Sequence, residues 1–353
     1  MLRIETDDEI LELFLCHAQI NITTDCNMRC KHCRGAYEDK EVVNIGLADF
    51  RNILLFTREH LGEGAGYLIS GGEPLKHPQF RELMIELSNY PKAGEFVTIT
   101  TNGSLLKDST LDFLQSLNFP ELRISVSLDS SSQEIHDEFR GFNKAYQRAI
   151  QAIRLIGKRD GIRGIVRATI RQEQLDELFD IAMIAHSCGA DALSVSSIIP
   201  SGTALRDPSL FFTAETKKKL SDMIKELREE FKGRMTIDLN DPLAYIDSES
   251  VSCGCEDEYG GCIAGIGTFS VEPDGVMLPC PLLPNHPIMN CLGKSSEEIL
   301  TGYISSPFIL ELIQRNLKGK CGKCRMRFSC GGCRARAAYA SGDYMGEDPD
   351  CWF

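Results

Sequence analysis

The stretch AQINITTDCNMRCKHC, residues 18–33, joins a β-rich apolar run to three closely spaced cysteines. The pattern over 18–24 predicts a β-strand, so Cys26, Cys30 and Cys33 follow that strand directly in a loop. Three thiolates are too few for a structural zinc site, and an odd number does not pair into disulfides. Three thiolates do hold three irons of a [4Fe–4S] cube and leave the fourth iron open.

The cysteine content is the unusual feature of the composition, with 15 cysteines in 353 residues. A reducing compartment and an odd number both disfavour a disulfide framework, and iron–sulfur ligation is the natural interpretation. The alternative for the triplet is a zinc site completed by His32 or His17. Its C-x3-C-x2-C spacing fits zinc less well, because zinc sites favour C-x2-C.

Charge and hydropathy exclude two classes of partner. The net charge of −13 argues against a nucleic-acid partner, since binding the phosphate backbone needs basic surface. No apolar run approaches the roughly 20 residues of a membrane helix, and the acidic N-terminus lacks the pattern of a signal peptide. We therefore expect a cytoplasmic protein with no membrane partner.

Strand and helix patterns alternate through the first two-thirds of the chain. Six β-rich runs are separated by stretches with helical periodicity, which predicts a parallel sheet of the α/β class. Six units are too few for a closed eight-stranded barrel, so the fold class is α/β with a partial (β/α)6 barrel. Chemistry is then expected at the carboxyl ends of the strands. The predicted strands are 18–24, 66–72, 95–102, 122–129, 164–170 and 192–199, and the predicted helices are 47–61, 78–90, 108–118, 145–159, 174–189 and 214–233.

The texture of the sequence changes after about residue 240, where Gly, Pro and Cys become frequent. Helical periodicity is sparse there, apart from residues 296–317. A loop-rich domain held together by metal fits this tail better than one held by a hydrophobic core alone. The predicted organisation is an N-terminal extension (1–17), a partial barrel (18–233) and a metal-bearing C-terminal domain (234–353).

The cysteine triplet after the first strand resembles that of the radical S-adenosylmethionine (SAM) enzymes. In that family SAM chelates the open iron, and one electron from the cluster releases a 5′-deoxyadenosyl radical that abstracts hydrogen from the substrate. The resemblance implies an enzyme of oxidoreductase type with a [4Fe–4S] cluster and SAM as cofactors. A flavodoxin- or ferredoxin-type protein would supply the electron.

Further motifs at the predicted strand ends resemble the SAM-binding parts of the family. They are SGGEPL (70–75), TTNGSLL (100–106), SVSLD (125–129) and HDEFRG (136–141). The resemblance implies that the GGEP motif holds the SAM amino group, that Arg140 meets its carboxylate and that His32 lies against its adenine. For the polar residues the alternatives are helix capping or a surface salt bridge. The implied SAM contacts are His32, Gly71, Gly72, Glu73, Asn102, Ser127, Asp129 and Arg140.

The cysteines of the tail resemble the SPASM extension of radical SAM enzymes, which holds two auxiliary [4Fe–4S] clusters. The resemblance implies three clusters in all. By it, auxiliary cluster I takes Cys255, Cys262, Cys280 and Cys333, with Cys253 as an alternative to Cys255. Auxiliary cluster II takes Cys321, Cys324, Cys330 and Cys351. The remaining cysteines are expected to be small buried hydrophobes, namely Cys16, Cys188 and Cys291.

SPASM proteins mostly modify peptides or build cofactors from them, and auxiliary clusters suit oxidations. The leading hypothesis is therefore oxidative modification of a ribosomally made peptide, such as a cross-link. A separate leader-binding protein is a further candidate partner. The tail GGCRARAAYASGDYMGEDPDC (331–351) also resembles proteins of haem-type pathways. That makes a step in tetrapyrrole or other small-molecule cofactor biosynthesis the first alternative. A non-catalytic iron–sulfur electron carrier or redox sensor is the second.

Overall fold

A ten-stranded, mostly parallel sheet organises the molecule. The computed structural model describes residues 2–5, 10–39, 41–89, 96–246 and 260–353. The strand order is β12-β11-β10-β3-β4-β5-β6-β7-β8-β9. In the row that runs from β10 to β9, every pair of neighbouring strands is parallel. The strands are β1 (Leu2–Glu5), β2 (Ile10–Leu13), β3 (Leu15–Asn21), β4 (Leu61–Ser70), β5 (Phe96–Thr101), β6 (Leu122–Ser127), β7 (Ile162–Ile170), β8 (Ala192–Ser197), β9 (Thr236–Leu239), β10 (Thr268–Val271), β11 (Val276–Leu278) and β12 (Met289–Asn290).

Helices connect the parallel strands in the predicted way. They are α1 (Leu47–His60), α2 (Phe80–Ser88), α3 (Asp108–Ser116), α4 (Gln133–Arg140), α5 (Ala145–Ile156), α6 (Leu178–Ser187), α7 (Ala214–Glu230), α8 (Ser296–Ile304), α9 (Pro307–Gln314), α10 (Gly319–Lys323) and α11 (Arg334–Ser341). The six units β3 to β8 confirm the α/β partial barrel. Among the described helices, none has the length and apolar character needed to cross a bilayer.

The two faces of the sheet differ in polarity. In β7, alternate residues are fully buried, and four of them, including Val166 and Ala168, belong to the main hydrophobic core. The intervening residues, Arg163, Ile165, Arg167 and Thr169, are only partly buried. Because side chains alternate across a strand, these residues point to the opposite, concave face. The concave face is therefore available for a polar ligand.

Short elements account for the differences from the sequence prediction. Strand β10 pairs in parallel with β3, and β9 pairs in parallel with β8, so the sheet continues beyond residue 233 on both edges. The N-terminal residues form a separate two-stranded antiparallel sheet of β1 and β2. Helix α4 was not predicted as a helix, and it ends at Gly141, whose φ is 57°. The division into domains at residues 17 and 233 remains a prediction.

Candidate active site

The cysteine loop, residues 25–36, is fixed on one side by the end of α4. The backbone N–H of Arg29 donates to the carbonyl of Arg140 at 3.1 Å, and that of Lys31 donates to the carbonyl of Phe139 at 2.9 Å. Gly141 makes this approach possible, since a Cβ there would lie 2.4 Å from the carbonyl oxygen of Arg29. The loop therefore uses the unpaired carbonyls that every helix leaves at its carboxyl end.

The segment after β8 holds the other side of the loop. The Thr203 hydroxyl donates to the carbonyl of Cys30 at 3.0 Å, and its N–H donates to that of Cys33 at 2.9 Å. Gly202 precedes it with a φ of 52°, and a Cβ at this position would lie 2.0 Å from the Cys33 oxygen. These two residues could not be identified from the sequence, because their partners lie about 170 positions earlier.

The three thiols of the triplet lie close enough to influence one another. Burial raises the pKa of Cys30 to about 12, with Cys33 and Cys26 adding to the rise and Arg140 opposing it. The Nη1 atom of Arg140 lies 3.7 Å from the Cys30 sulfur. Thiols with raised pKa values keep their protons until a metal displaces them, so cluster assembly here releases protons.

Asp129 fixes the position of Arg140. Its Oδ2 accepts from Nε of Arg140 at 2.6 Å, and its Oδ1 accepts from the N–H of Thr169 at 2.9 Å. The carboxylate has no exposed surface. Burial alone would raise its pKa, but Arg140, His32 and His136 bring the pKa down to about 2. Both oxygens thus have protein partners, and Asp129 orients Arg140.

Gly71, Gly72 and Glu73 lie against the start of the cysteine loop. The N–H of Gly72 donates to the carbonyl of Thr23 at 2.7 Å, and the N–H of Glu73 donates to that of Asp25 at 2.8 Å. A Cβ at Gly71 or Gly72 would lie 2.5 or 2.3 Å from a backbone oxygen of those same partners. The two glycines therefore allow two chain segments to meet, a purpose the motif alone did not reveal.

The carboxylate of Glu73 has no exposed surface. It accepts from the Thr101 hydroxyl at 2.7 Å, from the N–H of Asn102 at 2.8 Å and from the N–H of Leu75 at 3.3 Å. Burial raises the pKa of Glu73, and these hydrogen bonds oppose the rise. Glu73 therefore ties the end of β4 to the end of β5. Thr101, its hydroxyl partner, was not singled out from the sequence.

The Asn102 side chain is hydrogen-bonded within a turn, whereas the Ser127 hydroxyl is available to a ligand. The Asn102 side chain donates to Asn27 at 2.9 Å and accepts from the N–H and the hydroxyl of Ser104 at 2.9 and 2.6 Å. This is a local side-chain turn rather than a helix cap, since the next helix, α3, begins only at Asp108. The Ser127 hydroxyl makes no hydrogen bond within the described residues, and it stands at the end of β6 facing the concave side.

His32 stacks on Phe139, with ring centroids 4.5 Å apart and planes 10° from parallel. Burial lowers its pKa to about 3, with Arg140 adding to the effect, so the ring is neutral. Its buried Nδ1 has no hydrogen-bond partner among the described residues. An unpaired buried nitrogen is costly, and a bound polar ligand would satisfy it.

The tail contributes directly to the mouth of the barrel. Glu272, which follows β10, pairs with Arg34 at 3.2 Å and accepts from the Tyr37 hydroxyl at 2.9 Å. Asn21, at the end of β3, donates to Glu272 at 2.8 Å and accepts from Arg34 at 2.6 Å. This group was missed because its members lie up to 251 positions apart.

The cysteines predicted for auxiliary cluster II surround one cavity. Its lining also includes Gly331, Gly332 and Phe353. Burial raises the pKa of Cys330 to about 12, and both Cys351 and Cys321 add to the rise. A set of four thiols around one space fits a cubane cluster. The four cysteines of this cavity are Cys321, Cys324, Cys330 and Cys351.

Three of the cysteines predicted for auxiliary cluster I also lie near one another. Burial raises the pKa of Cys280 to about 12, and the neighbouring Cys262 and Cys333 add to the rise. The fourth predicted ligand, Cys255, and its alternative, Cys253, lie outside the described residues.

The cysteines left over from the clusters fall into two kinds. Cys188 and Cys291 are buried free thiols within the main hydrophobic core, as expected. Cys16 is buried as expected, but its sulfur is disulfide-bonded rather than free. Within the described residues, no three His, Cys, Asp or Glu side chains converge on a single metal ion. The thiolates of a cube each bind a different iron, so they stand farther apart than the ligands of one ion.

A buried ionic network separates the two cysteine sets of the tail. Arg336 on α11 pairs with Asp241 at 2.7 Å and with Asp348 at 2.7 Å, and its side chain is 1% exposed. Asp348 also accepts from the N–H of Cys333 at 2.7 Å, and its own N–H lies 3.4 Å from the Cys321 sulfur. One aspartate thus contacts a member of each set.

Comparisons with known proteins give a match to one superfamily and relatives with different biosynthetic roles. Residues 20–183 match the family described as the radical SAM superfamily. The chain is 29% identical to the AdoMet-dependent heme synthase of Methanosarcina barkeri, over 94% of each chain. It is 26% identical to the antilisterial bacteriocin subtilosin biosynthesis protein AlbA of Bacillus subtilis, over 90% of this chain and 66% of that protein.

Solved structures support the fold. Streptococcus suis SuiB bound to S-adenosylmethionine superposes with a TM-score of 0.76 at 18% identity. The alignment covers 96% of this chain and 78% of that one. The predicted partial barrel and its extension are therefore matched by one known architecture.

Proposed function

We propose that this chain, a radical SAM enzyme by its match to that superfamily over residues 20–183, oxidises a haem-type tetrapyrrole precursor. The supporting observation is the similarity to a heme synthase over 94% of both chains, including the cysteine-rich tail. The alternative of a non-catalytic electron carrier is set aside, because the superfamily and its SAM-bound structural neighbours are enzymes.

The proposed cofactors are SAM and three [4Fe–4S] clusters. Cys26, Cys30 and Cys33 would hold the first, and the two tail sets would hold the others. Together the first cluster and SAM supply one-electron chemistry and a radical that abstracts hydrogen. An oxidation by this route takes one hydrogen atom and one further electron from the substrate, and the two tail cysteine sets would hold clusters able to supply an acceptor for that electron.

The chain's own residues position this chemistry. Asp129 holds Arg140 so that a positive charge stands 3.7 Å from the Cys30 sulfur. Such a charge favours the thiolate over the thiol. Thr203 and the end of α4 immobilise the cysteine loop from two sides. A fixed loop would hold the three cysteine thiols in place for the cluster.

The SAM contacts form two groups in this proposal. The open hydroxyl of Ser127 and the unpaired nitrogen of His32 are available to a ligand. The side chains of Glu73, Asn102 and Asp129 already have protein partners, so they act by positioning the strand ends. The glycines Gly71 and Gly72 bring the GGEP turn against the loop, and Arg140 is the remaining candidate for the SAM carboxylate.

The first experiment tests the chemistry and then the substrate. Anaerobically reconstituted, reduced protein is incubated with SAM, and 5′-deoxyadenosine is quantified with and without porphyrins that carry carboxylate side chains. We expect cleavage in all samples and a porphyrin product two hydrogens poorer, or decarboxylated, in the second. Cleavage that is unaffected by every porphyrin, iron-loaded or metal-free, would remove the tetrapyrrole assignment.

Oxidative modification of a peptide is the second candidate, favoured by the similarity to the AlbA protein of subtilosin biosynthesis. A short peptide encoded beside the gene would then be the substrate, with a leader-binding protein as a further partner. Mass loss of two hydrogens from such a peptide, with no porphyrin product, would favour this function. In either case a flavodoxin- or ferredoxin-type donor is proposed.

A further inference from the structure

Arg167 places a guanidinium group on the concave face of the sheet. It lies on β7 among the partly buried residues that alternate with the core positions. Its neighbours in register are Ser127 on β6 and Ser194 on β8. Arg167 therefore sits at the depth of Ser127, one of the two side chains available to a ligand.

This guanidinium differs from its neighbours in lacking a carboxylate. Arg34 has Glu272 at 3.2 Å and Arg140 has Asp129 at 2.6 Å. In the part of the chain that the structure describes, Arg167 makes no ion pair, and its one hydrogen bond is from Nη2 to the Ser196 hydroxyl at 3.2 Å. An arginine presents five donors, so most of its hydrogen-bonding capacity is open.

The surroundings make this arrangement unfavourable without an anion. Burial lowers the pKa of Arg167, Asp129 opposes that effect, and the nearby charges of Arg34 and Arg140 add to it. Taking a charge from water costs free energy unless a partner compensates for it. A guanidinium also matches the two oxygens of a carboxylate in a bidentate pair.

Arg140, rather than Arg167, is the candidate for the SAM carboxylate, because it stands 3.7 Å from the Cys30 sulfur. The hydrogen bond to Ser196 draws the Arg167 guanidinium towards β8 instead. The substrate, which must reach the radical from the concave side, is the ligand that this direction favours.

We infer that Arg167 binds a carboxylate group of the substrate and so selects an acidic substrate. The inference rests on the proposed function for the identity of that substrate. It makes Arg167 a specificity-determining residue. Haem and its precursors carry carboxylate side chains, which gives the arginine a partner of the right chemistry.

The test measures binding of haem and of haem dimethyl ester to the reconstituted, SAM-loaded enzyme by Soret absorbance. Arg167→Met should weaken haem binding about 10- to 100-fold, as expected for loss of a charge-assisted bond. The ester should bind the wild type and Arg167→Met equally. Arg163→Met is the matched control, because Arg163 lies four residues earlier on the same face of β7 and pairs with Glu121.

The affinity for SAM, measured on the same samples by equilibrium dialysis, separates the two possible carboxylates. Unchanged SAM affinity in Arg167→Met supports the inference and shows that the variant is folded. An equal loss of SAM and haem affinity, or unchanged haem affinity, would overturn it.

A further measurement covers failure of the proposed function itself. If wild-type enzyme binds neither haem nor its ester, the tetrapyrrole assignment fails. The inference is then tested by modifying arginines with phenylglyoxal in the presence of succinate and mapping the products by mass spectrometry. Protection of Arg167 by succinate supports a carboxylate site, and equal modification with and without succinate overturns it.

Discussion

Replacing Asp129 by asparagine removes the charge that holds Arg140 but keeps the side-chain volume. The carboxylate is fully buried, and its pKa of about 2 lies below the ordinary value of 3.8. That difference corresponds to roughly 2–3 kcal/mol of stabilisation, since one pH unit is worth about 1.4 kcal/mol. Because the folded pKa is the lower one, this contribution is fully present above pH 3.8 and is lost only as the pH falls towards 2.

The expected cost of Asp129→Asn at pH 7.5 is larger than this figure. Removing one partner of a buried pair also leaves Arg140 without a counter-charge, and such losses amount to about 3–5 kcal/mol. The double variant Asp129→Asn/Arg140→Met should cost less than the sum of the single variants, with a coupling energy of about 2 kcal/mol or more. Anaerobic urea unfolding of the reconstituted protein, followed by circular dichroism, measures each value.

A matched control is Asp108→Asn, whose partner Arg159 also lies 2.6 Å away but whose carboxylate is 69% exposed. Solvent screens that pair, so its removal should be clearly less costly. If Asp129→Asn costs no more than Asp108→Asn, or if the coupling energy is near zero, the buried pair does not hold Arg140 in the way described.

Three further predictions concern the cysteine loop and the helix beside it. Gly202→Ala should lose both the cluster of the loop and SAM cleavage, because its Cβ would lie 2.0 Å from the Cys33 oxygen. The control Gly233→Ala, also at positive φ but with nothing within 4 Å of its Cβ, should keep both. Equal iron loss in the two variants would contradict this geometry. The Nδ1 of His136 accepts from the N–H of Asp129, and burial lowers the pKa of His136 from 6.5 to about 4. The contribution of neutral His136 to the unfolding free energy is present above pH 6.5 and falls by about 1 kcal/mol between pH 7.5 and 5.5. The unfolding free energy of His136→Gln should therefore vary less with pH over this range than that of the wild type. The third variant replaces Cys26, Cys30 and Cys33 by alanine. It should abolish SAM cleavage and lower the iron content from about 12 to about 8 atoms per chain. An iron content near four in the wild type would contradict three clusters.

The parallel strands of the barrel were predictable from the sequence because their patterns are local. Buried strands such as β6 and β8 are short apolar runs bounded by turns, and helix periodicity between them is clear. Helix α4 was missed because its sequence, QEIHDEFR, contains only two apolar residues, Ile135 and Phe139. Strands β9 and β10 have four residues each, which is too short for a reliable pattern.

The roles of the site residues were harder to predict, because a role depends on distant partners. The GGEP motif located Glu73 at the site, but only the fold shows that Thr101 and Asn102 already occupy its carboxylate. The same holds for Arg336, whose partner Asp241 lies 95 positions earlier. The spacing of the tail cysteines along the sequence was enough to suggest two ligand sets. That the second set lines one cavity is known only from the folded chain.

The pairing of β10 with β3 limits how the tail can evolve. A domain that can be exchanged freely between enzymes must leave no unpaired strand behind when it is removed. Here its removal would leave the edge of β3 unpaired, and an open parallel strand is a template for aggregation. It would also take Glu272 from Arg34, beside the cysteine loop. A chimaera that exchanges the tail must therefore carry β10 and Glu272 with it.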